Sequence, residues 1–332
     1  MPDTKQYEMI KLAKESGRDF ILLNFSDPQL SDGEWDEGHK NRAILEYTIG
    51  ETIRRTSPDL ITISGDLAWA GNTKAYRMLV DLLDSYGIPW CAVWGNHDNQ
   101  DGPEYVDSVV DYYLTKKYFL YERGDKALGN GNYVIGAGCG GRISAGVIMM
   151  DSHDRMPYTK DDGAVGEGWA KLIPEQIDWY RERVNELAAM GCRESALIMH
   201  IPIYAYRTAA AAAYADGADR KGISPLESSL GVGWKDGYRS SYGVTYESIG
   251  SYPLDDGVFD VIRDLGHTKV LIAGHDHVNN TVIRYEGVDL VYSLKCGAGC
   301  YWDPRLNGGT VVRIDENGIR DLGHCYVDVS HL

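Results

Sequence analysis

Five short apolar runs in this chain are each followed by polar side chains that can bind metal ions. Short apolar runs that end at turn residues predict buried strands. The carboxyl ends of strands are where open α/β sheets bind their ligands. We therefore expect five strand ends to gather oxygen and nitrogen ligands at one edge of a sheet. The runs, with the residues that follow them, are 20–25 before Asp27, Pro28 and Gln29; 60–64 before Gly65 and Asp66; 88–93 before Gly95, Asn96, His97 and Asp98; 196–199 before His200; and 270–273 before Gly274, His275, Asp276 and His277.

Each of these polar groups has a simpler explanation when it is taken alone. A polar turn with a solvated imidazole, for example, would also account for residues 95–98. Together, however, the five groups offer carboxylate, amide and imidazole ligands and no thiolate. Such a ligand set suits borderline or hard divalent ions. The combination therefore predicts a metal centre.

In this order the groups resemble the signature of the calcineurin-like metallophosphoesterase superfamily. That signature is Asp-x-His, Gly-Asp, Gly-Asn-His-(Asp/Glu), His and Gly-His-x-His, and the chain departs from it at Gln29, where a histidine is usual. An Asp-Ser pair at residues 151–152 and Ile-x-x-Gln-x-x-Trp over residues 173–179 are similar to the purple-acid-phosphatase-like branch. The resemblance implies an α/β fold, a two-sheet αββα sandwich with the helices outside.

The resemblance also implies two divalent metal ions, manganese, iron, zinc or nickel, with Asp66 as the bridge between them. Two ions roughly 3.5–4 Å apart clamp the attacking and leaving oxygens, and they acidify a water so that hydroxide forms at neutral pH. A single structural zinc site would instead favour a compact set of four ligands. The other implied ligands are Asp27 and His277 at the first site, with Gln29 a ligand or a support for Asp27, and Asn96, His200 and His275 at the second.

His97 is the implied general acid. Because Asn96 faces a metal ion, the next side chain in an extended turn points elsewhere, towards the leaving-group oxygen. A positioned imidazole contributes roughly 10²–10⁴-fold by proton transfer. Asp98 would orient His97, and the alternative for Asp98 is a turn carboxylate that caps nearby backbone amides.

These features predict a dinuclear metal-dependent phosphohydrolase that cleaves a phosphate monoester or diester. Two alternatives stay open. A scaffold of the same fold that binds partners without turnover would be expected to have lost ligands, and only position 29 departs from the signature. A dinuclear peptidase would not need the ordered Gly-Asn-His and Gly-His-x-His groups.

The composition is that of a globular enzyme, with 43% hydrophobic and 25% charged residues among 332. The five groups span most of the chain, so we expect a single domain over residues 1–332. A net charge of −16 leaves no basic surface for a nucleic-acid backbone. The expected partner is a small phosphate ester, and the oligomeric state stays open.

Nothing in the sequence predicts a signal segment or a membrane span. We expect a cytoplasmic protein, although a secreted chain with its signal removed would have the same sequence. The six cysteines contain no Cys-x-x-Cys pair, which argues against a zinc ribbon. Cys296 and Cys300 flank Gly-Ala-Gly and are either bridged or free.

The apolar periodicity predicts helices over residues 41–55 and 73–86, with Thr73 as a cap of the second. Helices that alternate with strands are typical of a parallel sheet. A hairpin is expected over residues 133–150. Alternating residues in 278–292 and 310–326 predict antiparallel strands that close a second sheet.

Residues 207–252 have little apolar periodicity after a five-alanine run, and they form either a lid over the site or a disordered loop. We favour the lid, because both of its ends lie beside predicted metal ligands. It would place substrate contacts near the centre. The candidates are Tyr204, Arg207 and Arg239, followed by Tyr206, Tyr238 and Tyr242.

Iron loading gives a prediction about colour. In purple acid phosphatases a tyrosine three residues after the Gly-Asp aspartate binds ferric iron and produces a visible band. Here that position is Trp69, whose indole has no oxygen. We expect iron-loaded protein to show no tyrosinate-to-iron absorption band. A strong visible band that a tyrosine substitution abolishes would contradict this expectation.

Overall fold

Strands and helices alternate through most of the chain, and strands dominate its last quarter. The computed structural model describes residues 9–214 and 234–332. In these residues the strands are β1 (Ile10–Ala13), β2 (Phe20–Phe25), β3 (Leu60–Ser64), β4 (Trp90–Val93), β5 (Tyr133–Gly138), β6 (Ala145–Met149), β7 (Arg155–Thr159), β8 (Val165–Trp169), β9 (Glu194–Ile198), β10 (Thr268–Ala273), β11 (Val282–Tyr285), β12 (Val288–Tyr292), β13 (Gly308–Asp315) and β14 (Gly318–Tyr326). The helices are α1 (Lys40–Thr56), α2 (Thr73–Ser85), α3 (Asn96–Asn99), α4 (Pro103–Tyr113), α5 (Pro174–Ala189), α6 (Ala205–Ala213) and α7 (Val258–Leu265), with 3₁₀ turns at Gly33–Trp35, Lys126–Leu128 and Pro304–Leu306.

Two large sheets contain most of these strands. The seven-stranded sheet has the order β1-β5-β6-β9-β10-β12-β11, and the five-stranded sheet has the order β14-β13-β2-β3-β4. The strands β2, β3 and β4 run parallel, as do β6, β9, β10 and β12. The strands β7 and β8 form a separate antiparallel hairpin.

The two sheets pack face to face. Leu22, Leu60 and Val93 of the five-stranded sheet share one buried cluster with Ile135 and Val147 of the seven-stranded sheet. A second cluster lies between the five-stranded sheet and helices α1, α2 and α4, and a third lies between the seven-stranded sheet and helices α5, α6 and α7. The order of layers is therefore helix, sheet, sheet, helix, which confirms the predicted αββα sandwich.

The strands expected at residues 20–25 and 60–64 have the predicted limits, and the other three begin or end within two residues of them. One expectation was wrong. The five strand ends do not share one edge of a single sheet, because β2, β3 and β4 belong to one sheet and β9 and β10 to the other. The ligands gather where the carboxyl ends of the two packed sheets meet.

The last four strands also differ from the prediction. They do not close one sheet together, since β11 and β12 extend the seven-stranded sheet whereas β13 and β14 extend the five-stranded one. β13 pairs antiparallel with β2, with Val312 opposite Leu22. The polarity pattern predicts that a strand exists, but it does not specify which sheet the strand joins.

Helix α2 shows why the apolar periodicity was informative. Tyr76, Leu79, Val80 and Leu83 are all buried at spacings of three and four residues. Each fully buried side chain of this size contributes roughly 1.5–3 kcal/mol to stability. The residue at the N-cap is Asn72, one position before the predicted Thr73. No helix in the described ranges is long and apolar enough to cross a bilayer.

The predicted lid over residues 207–252 divides into three parts. Residues 207–213 lie in helix α6, where Ala209 and Ala213 are buried in the helix layer, so this part is not a lid. Small side chains let the helix pack closely on the sheet. Residues 215–233 lie outside the described residues. Residues 234–252 begin at Trp234, which is buried in the helix layer, and reach the candidate site at Gly250, whose backbone N–H donates to Asp276; their role as a cover stays a prediction.

Candidate metal centre

Asp27 follows the buried strand β2, where the carboxyl ends of the two packed sheets meet, and it is almost fully buried. Its φ of 52° is unusual for a residue with a side chain. The Lys295 ammonium donates a hydrogen bond of 2.6 Å to the Asp27 carbonyl oxygen. The Asp27 Oδ1 atom is buried and has no hydrogen-bond partner among the described residues. A buried carboxylate oxygen that accepts no hydrogen bond is costly unless positive charge lies beside it.

The first group of ligand atoms consists of Asp27, Asp66 and His277, whose ligand atoms all lie within 4.8 Å of one another. His277 Nε2 is 3.4 Å from Asp27 Oδ1. His277 Nδ1 is 2.9 Å from the Tyr301 carbonyl oxygen, which leaves Nε2 directed towards the carboxylates. Burial opposes ionisation of Asp27, but the positive charge of His277 holds the pKa of Asp27 well below its usual range.

Gln29 lies beside this first group and is fully buried. Its Nε2 donates to Asp66 Oδ2 at 3.3 Å, which fixes the orientation of the amide. Its Oε1 has no hydrogen-bond partner within the described residues. Gln29 therefore forms a hydrogen bond with Asp66 and not with Asp27. Its Oε1 atom accepts no hydrogen bond and is available as one further ligand for a metal ion.

The second group consists of Asn96, His200 and His275. Asn96 Oδ1 is 3.0 Å from His200 Nε2 and 2.8 Å from His275 Nδ1, and these two ring nitrogens are 3.3 Å apart. His200 Nδ1 donates to the Ser64 carbonyl oxygen at 2.8 Å, which orients the ring. Three donor atoms from three strand ends therefore converge on one point.

Protons compete with cations for this second group. Burial lowers the pKa of His200, but the Asp66 carboxylate raises it overall to about 10. Burial and the positive charge of His200 lower the pKa of His275 to about 3. A metal ion must displace the His200 proton to bind, so falling pH opposes metal binding at this group.

Asp66 links the two groups. Its Oδ2 is 3.4 Å from His200 Nε2 in the second group and within reach of Gln29 in the first. Its Oδ1 accepts the backbone N–H of His97 at 2.9 Å. Gly95 is required here because a Cβ atom at that position would lie 2.1 Å from Asp66 Oδ1. The Gly-Asn-His motif thus begins with glycine for a steric reason.

Backbone strain is concentrated at this centre. Four candidate ligands are among the eight non-glycine residues with positive φ in the described part of the chain. Such conformations cost roughly 1–3 kcal/mol each, and they cluster at functional sites. The four residues are Asp27, Gln29, Asp66 and His275, with φ of 52°, 38°, 49° and 75°.

His97 lies next to these ligands but outside both groups. Its ring packs on Trp69 with a centroid distance of 4.2 Å. Its Nδ1 is buried and makes no hydrogen bond to any described residue. The ring is therefore positioned by packing and by its own backbone N–H, and its nitrogens are not committed to protein partners.

Asp98 does not orient His97, which corrects one of our two expectations for it. In the described hydrogen bonds its carboxylate accepts from the backbone N–H of Leu67 at 3.1 Å and of Gly95 at 2.7 Å, and from the Tyr76 hydroxyl at 2.6 Å. Burial and the charge of Asp66 raise the pKa of Asp98 to about 7. Asp98 therefore links the turns after β3 and β4 through hydrogen bonds. This agrees with the alternative expectation, a turn carboxylate that caps nearby backbone amides.

A family model for calcineurin-like phosphoesterases matches residues 20–279, a stretch that includes every residue of both groups. The chain belongs to the calcineurin-like phosphoesterase family. The ligand chemistry agrees with a metal-dependent family, because carboxylate, imidazole and amide donors suit borderline divalent ions. The buried, unpartnered oxygens of Asp27 and Gln29 fit bound cations in the same way.

Two curated relatives are similar to most of this chain. The probable inactive purple acid phosphatase 28 of Arabidopsis thaliana is 26% identical over 276 residues, which cover 76% of this chain and 62% of the relative. Phosphatase DCR2 of Saccharomyces cerevisiae is 26% identical over 324 residues, which cover 89% of this chain and 50% of the relative. The chain thus spans about half to two-thirds of the length of these relatives.

Two solved structures share the fold. A dimetal phosphatase from Danio rerio has a TM-score of 0.55 at 14% identity, with 92% of this chain and 98% of that chain covered. The purple acid phosphatase PPD1 of yellow lupin (Lupinus luteus) has a TM-score of 0.52 at 11% identity, with 95% and 55% covered. At these identities the likeness supports the fold alone.

The three predicted substrate contacts have protein partners in the structure, and their role in binding substrate stays a prediction. The Tyr204 backbone N–H donates to Asp256 at 3.2 Å. The Arg207 guanidinium donates to Ser251 Oγ at 2.6 Å and supports the loop beside His275. Arg239 is exposed and pairs with Asp236 at 2.7 Å.

The tyrosines named with them are also engaged elsewhere. The Tyr206 hydroxyl donates to Leu271 and Val291 carbonyl oxygens, Tyr238 packs against the outer core cluster, and Tyr242 is part of the inter-sheet cluster. The side chains of Arg207, Arg239 and Tyr206 thus contact other protein groups, and whether any of the six residues binds substrate stays a prediction.

Two residues near the first group were missed. Lys295 is buried against Asp27, and it follows β12 much as the metal ligands follow their strands, a signal that the sequence did contain. The Cys300 thiol lies beside His277, and a hydrogen bond with His277 lowers the pKa of that thiol. Cys296 and Cys300 are both free thiols.

The Gln29 geometry gives a prediction about metal exchange. An amide oxygen is a weaker donor than imidazole for borderline metals, so the first group should hold its ion less tightly than the second. We expect dialysis against a mild chelator to remove one metal per chain before the other. Gln29→His should slow that first loss, and Gln29→Ala should speed it. Simultaneous loss of both metals, unchanged in both variants, would show that position 29 does not control occupancy.

Proposed function

We propose that this chain is a dinuclear metal-dependent phosphohydrolase that cleaves a phosphate monoester or diester. The observation that carries the proposal is the arrangement of two ligand groups around one carboxylate, Asp66. The first group would hold one ion through Asp27, His277 and Gln29, and the second would hold another through Asn96, His200 and His275. When bound, two divalent ions would supply Lewis acidity to a phosphate ester and to an attacking water.

The side chains of this protein would divide the remaining work. Asp66 positions the two groups relative to each other and, through its bond to the His97 backbone, positions the acid. His97 would donate a proton to the leaving-group oxygen, since its ring nitrogens have no hydrogen-bond partner among the described residues. Trp69 packs on the ring and limits its rotation. Asp98 holds together the turns that carry Asp66 and His97.

A small phosphate ester suits the charge of the protein better than nucleic acid does. The net charge of −16 provides no basic surface for a polyanionic backbone. A small anion would instead be attracted by the bound cations. The expected compartment, the cytoplasm, stays a prediction.

The alternative is a protein of the same fold that binds partners with little turnover. Its specific support is the naming of curated relatives as probable inactive purple acid phosphatases. Against it stands the ligand set of this chain, in which six of the seven predicted ligands follow the superfamily signature and Gln29 still presents a buried oxygen. A panel of aryl phosphate monoesters, diesters and nucleotides, assayed with several divalent ions, separates the two possibilities.

Asp66→Asn should abolish hydrolysis and lower the bound metal at both sites. The physical reason is that Asp66 alone faces both ligand groups, and an amide lacks the charge to bridge two cations. Metal content by elemental analysis and turnover of an aryl phosphate measure the two effects. Asp178→Asn, on the exposed face of α5, is the matched control and should change neither. Two bound metals with normal turnover in Asp66→Asn would refute the proposal.

His97→Ala should retain both metals and lose kcat by roughly 10²–10⁴-fold. The loss should be greatest for substrates whose leaving groups have high pKa values, since these need a proton most. Turnover of aryl phosphates with graded leaving groups gives this dependence. His331→Ala removes an exposed imidazole and serves as the control. An equal loss across all leaving groups would mean that His97 binds phosphate and is not the acid.

A further inference from the structure

The start of the β7–β8 hairpin brings an arginine beside the metal centre that the motifs do not include. The Arg155 guanidinium lies over the Trp169 ring at 3.9 Å from its centroid. The Trp169 ring in turn packs at nearly a right angle to the His275 ring, with a centroid distance of 4.3 Å. One aromatic side chain therefore separates this cation from a candidate metal ligand.

The hairpin holds Arg155 in this place. Arg155 pairs directly opposite Trp169 in the antiparallel ladder, at the end of the hairpin that joins the body of the protein. The Ala170 backbone N–H donates to the Asp154 carbonyl oxygen at 3.0 Å and closes that end. The Tyr252 hydroxyl donates to the Pro157 carbonyl oxygen at 3.2 Å and ties the strand to the loop beside His275. A guanidinium stacked on an indole loses little freedom when it binds an anion.

The residue that precedes Arg155 interacts electrostatically with both Arg155 and His97. The preceding residue, Asp154, is half-buried, and burial raises its pKa while the charges of Arg155 and His97 lower it. Asp154 therefore lies within electrostatic reach of both side chains. The Arg155 guanidinium is stacked on Trp169, whereas Arg207 and Arg239 are committed to Ser251 and Asp236.

We propose that Arg155, held on Trp169, binds the non-bridging oxygens of the substrate phosphate and favours monoesters over diesters. A guanidinium presents its N–H groups as a fork that matches two phosphate oxygens. A monoester carries two negative charges near neutral pH and a diester carries one, so a fixed cation attracts the monoester more strongly. This inference rests on the proposed function, because it assigns specificity to the same centre.

The test uses manganese-loaded full-length protein and the variant Arg155→Ala. Inorganic phosphate, measured by calorimetry, reports binding without turnover, and p-nitrophenyl phosphate and bis-p-nitrophenyl phosphate report the two ester classes. We expect the variant to raise the phosphate Kd and the monoester KM by about 10-fold, as the loss of one charge-assisted contact would. The diester kcat/KM should change by less than about 3-fold, since only one charge is involved.

Two further variants separate binding from structure. Arg155→Lys keeps the charge but loses the planar fork and the stack, so its phosphate Kd should fall between those of Arg155→Ala and the native protein. Lys160→Ala removes an exposed cation from the same hairpin and is the matched control, with values like those of the native protein. Bound metal should be unchanged in all three.

Other outcomes would overturn the inference. Equal losses on both ester classes, no loss at all, or reduced metal content in Arg155→Ala would show that Arg155 is a structural support for Trp169. Arg155-dependent phosphate binding without any turnover in the native protein would support the inference and refute the proposed function. Native metal-loaded protein that binds no phosphate would refute both.

Discussion

The position of one buried carboxylate, Asp66, determines how the rest of the centre is arranged. It lies between a carboxylate and imidazole group on one side and an amide and two imidazoles on the other. Buried charges are costly unless they are paired, and here the nearest partners are side chains of the types that bind cations. The protein therefore buries these groups close together, and positive charge between them is needed to stabilise the arrangement.

The two-sheet sandwich is what keeps these groups in register. The apolar cluster between the sheets fixes the ends of β2, β3 and β4 relative to the ends of β9 and β10. Asp98 then joins two of the turns through backbone hydrogen bonds, and Lys295 holds the turn of Asp27 from the opposite sheet. Tightly packed interiors deform little, so donor atoms from distant parts of the chain keep separations of about 3 Å.

The surroundings of the two groups differ, although both share Asp66. The first has a neutral amide at Gln29, a buried ammonium at Lys295 and a thiol at Cys300 nearby. The second has three strongly oriented donors and the Trp169 ring at its edge. The family signature is retained at the second group and altered at the first. This difference agrees with unequal affinities for the two ions.

The sequence by itself determined the local features of this protein. Apolar runs predicted the strands, helix periodicity predicted α2, and the residues after each strand predicted which side-chain types meet in both groups. Only the tertiary structure decided which strands share a sheet, that Asp98 supports a turn and does not orient His97, and that Arg155 and Lys295 lie beside the centre. The physical reason is that periodicity reports whether a side chain is buried, whereas pairing, packing and proximity depend on contacts between residues as far apart as Asp27 and Lys295.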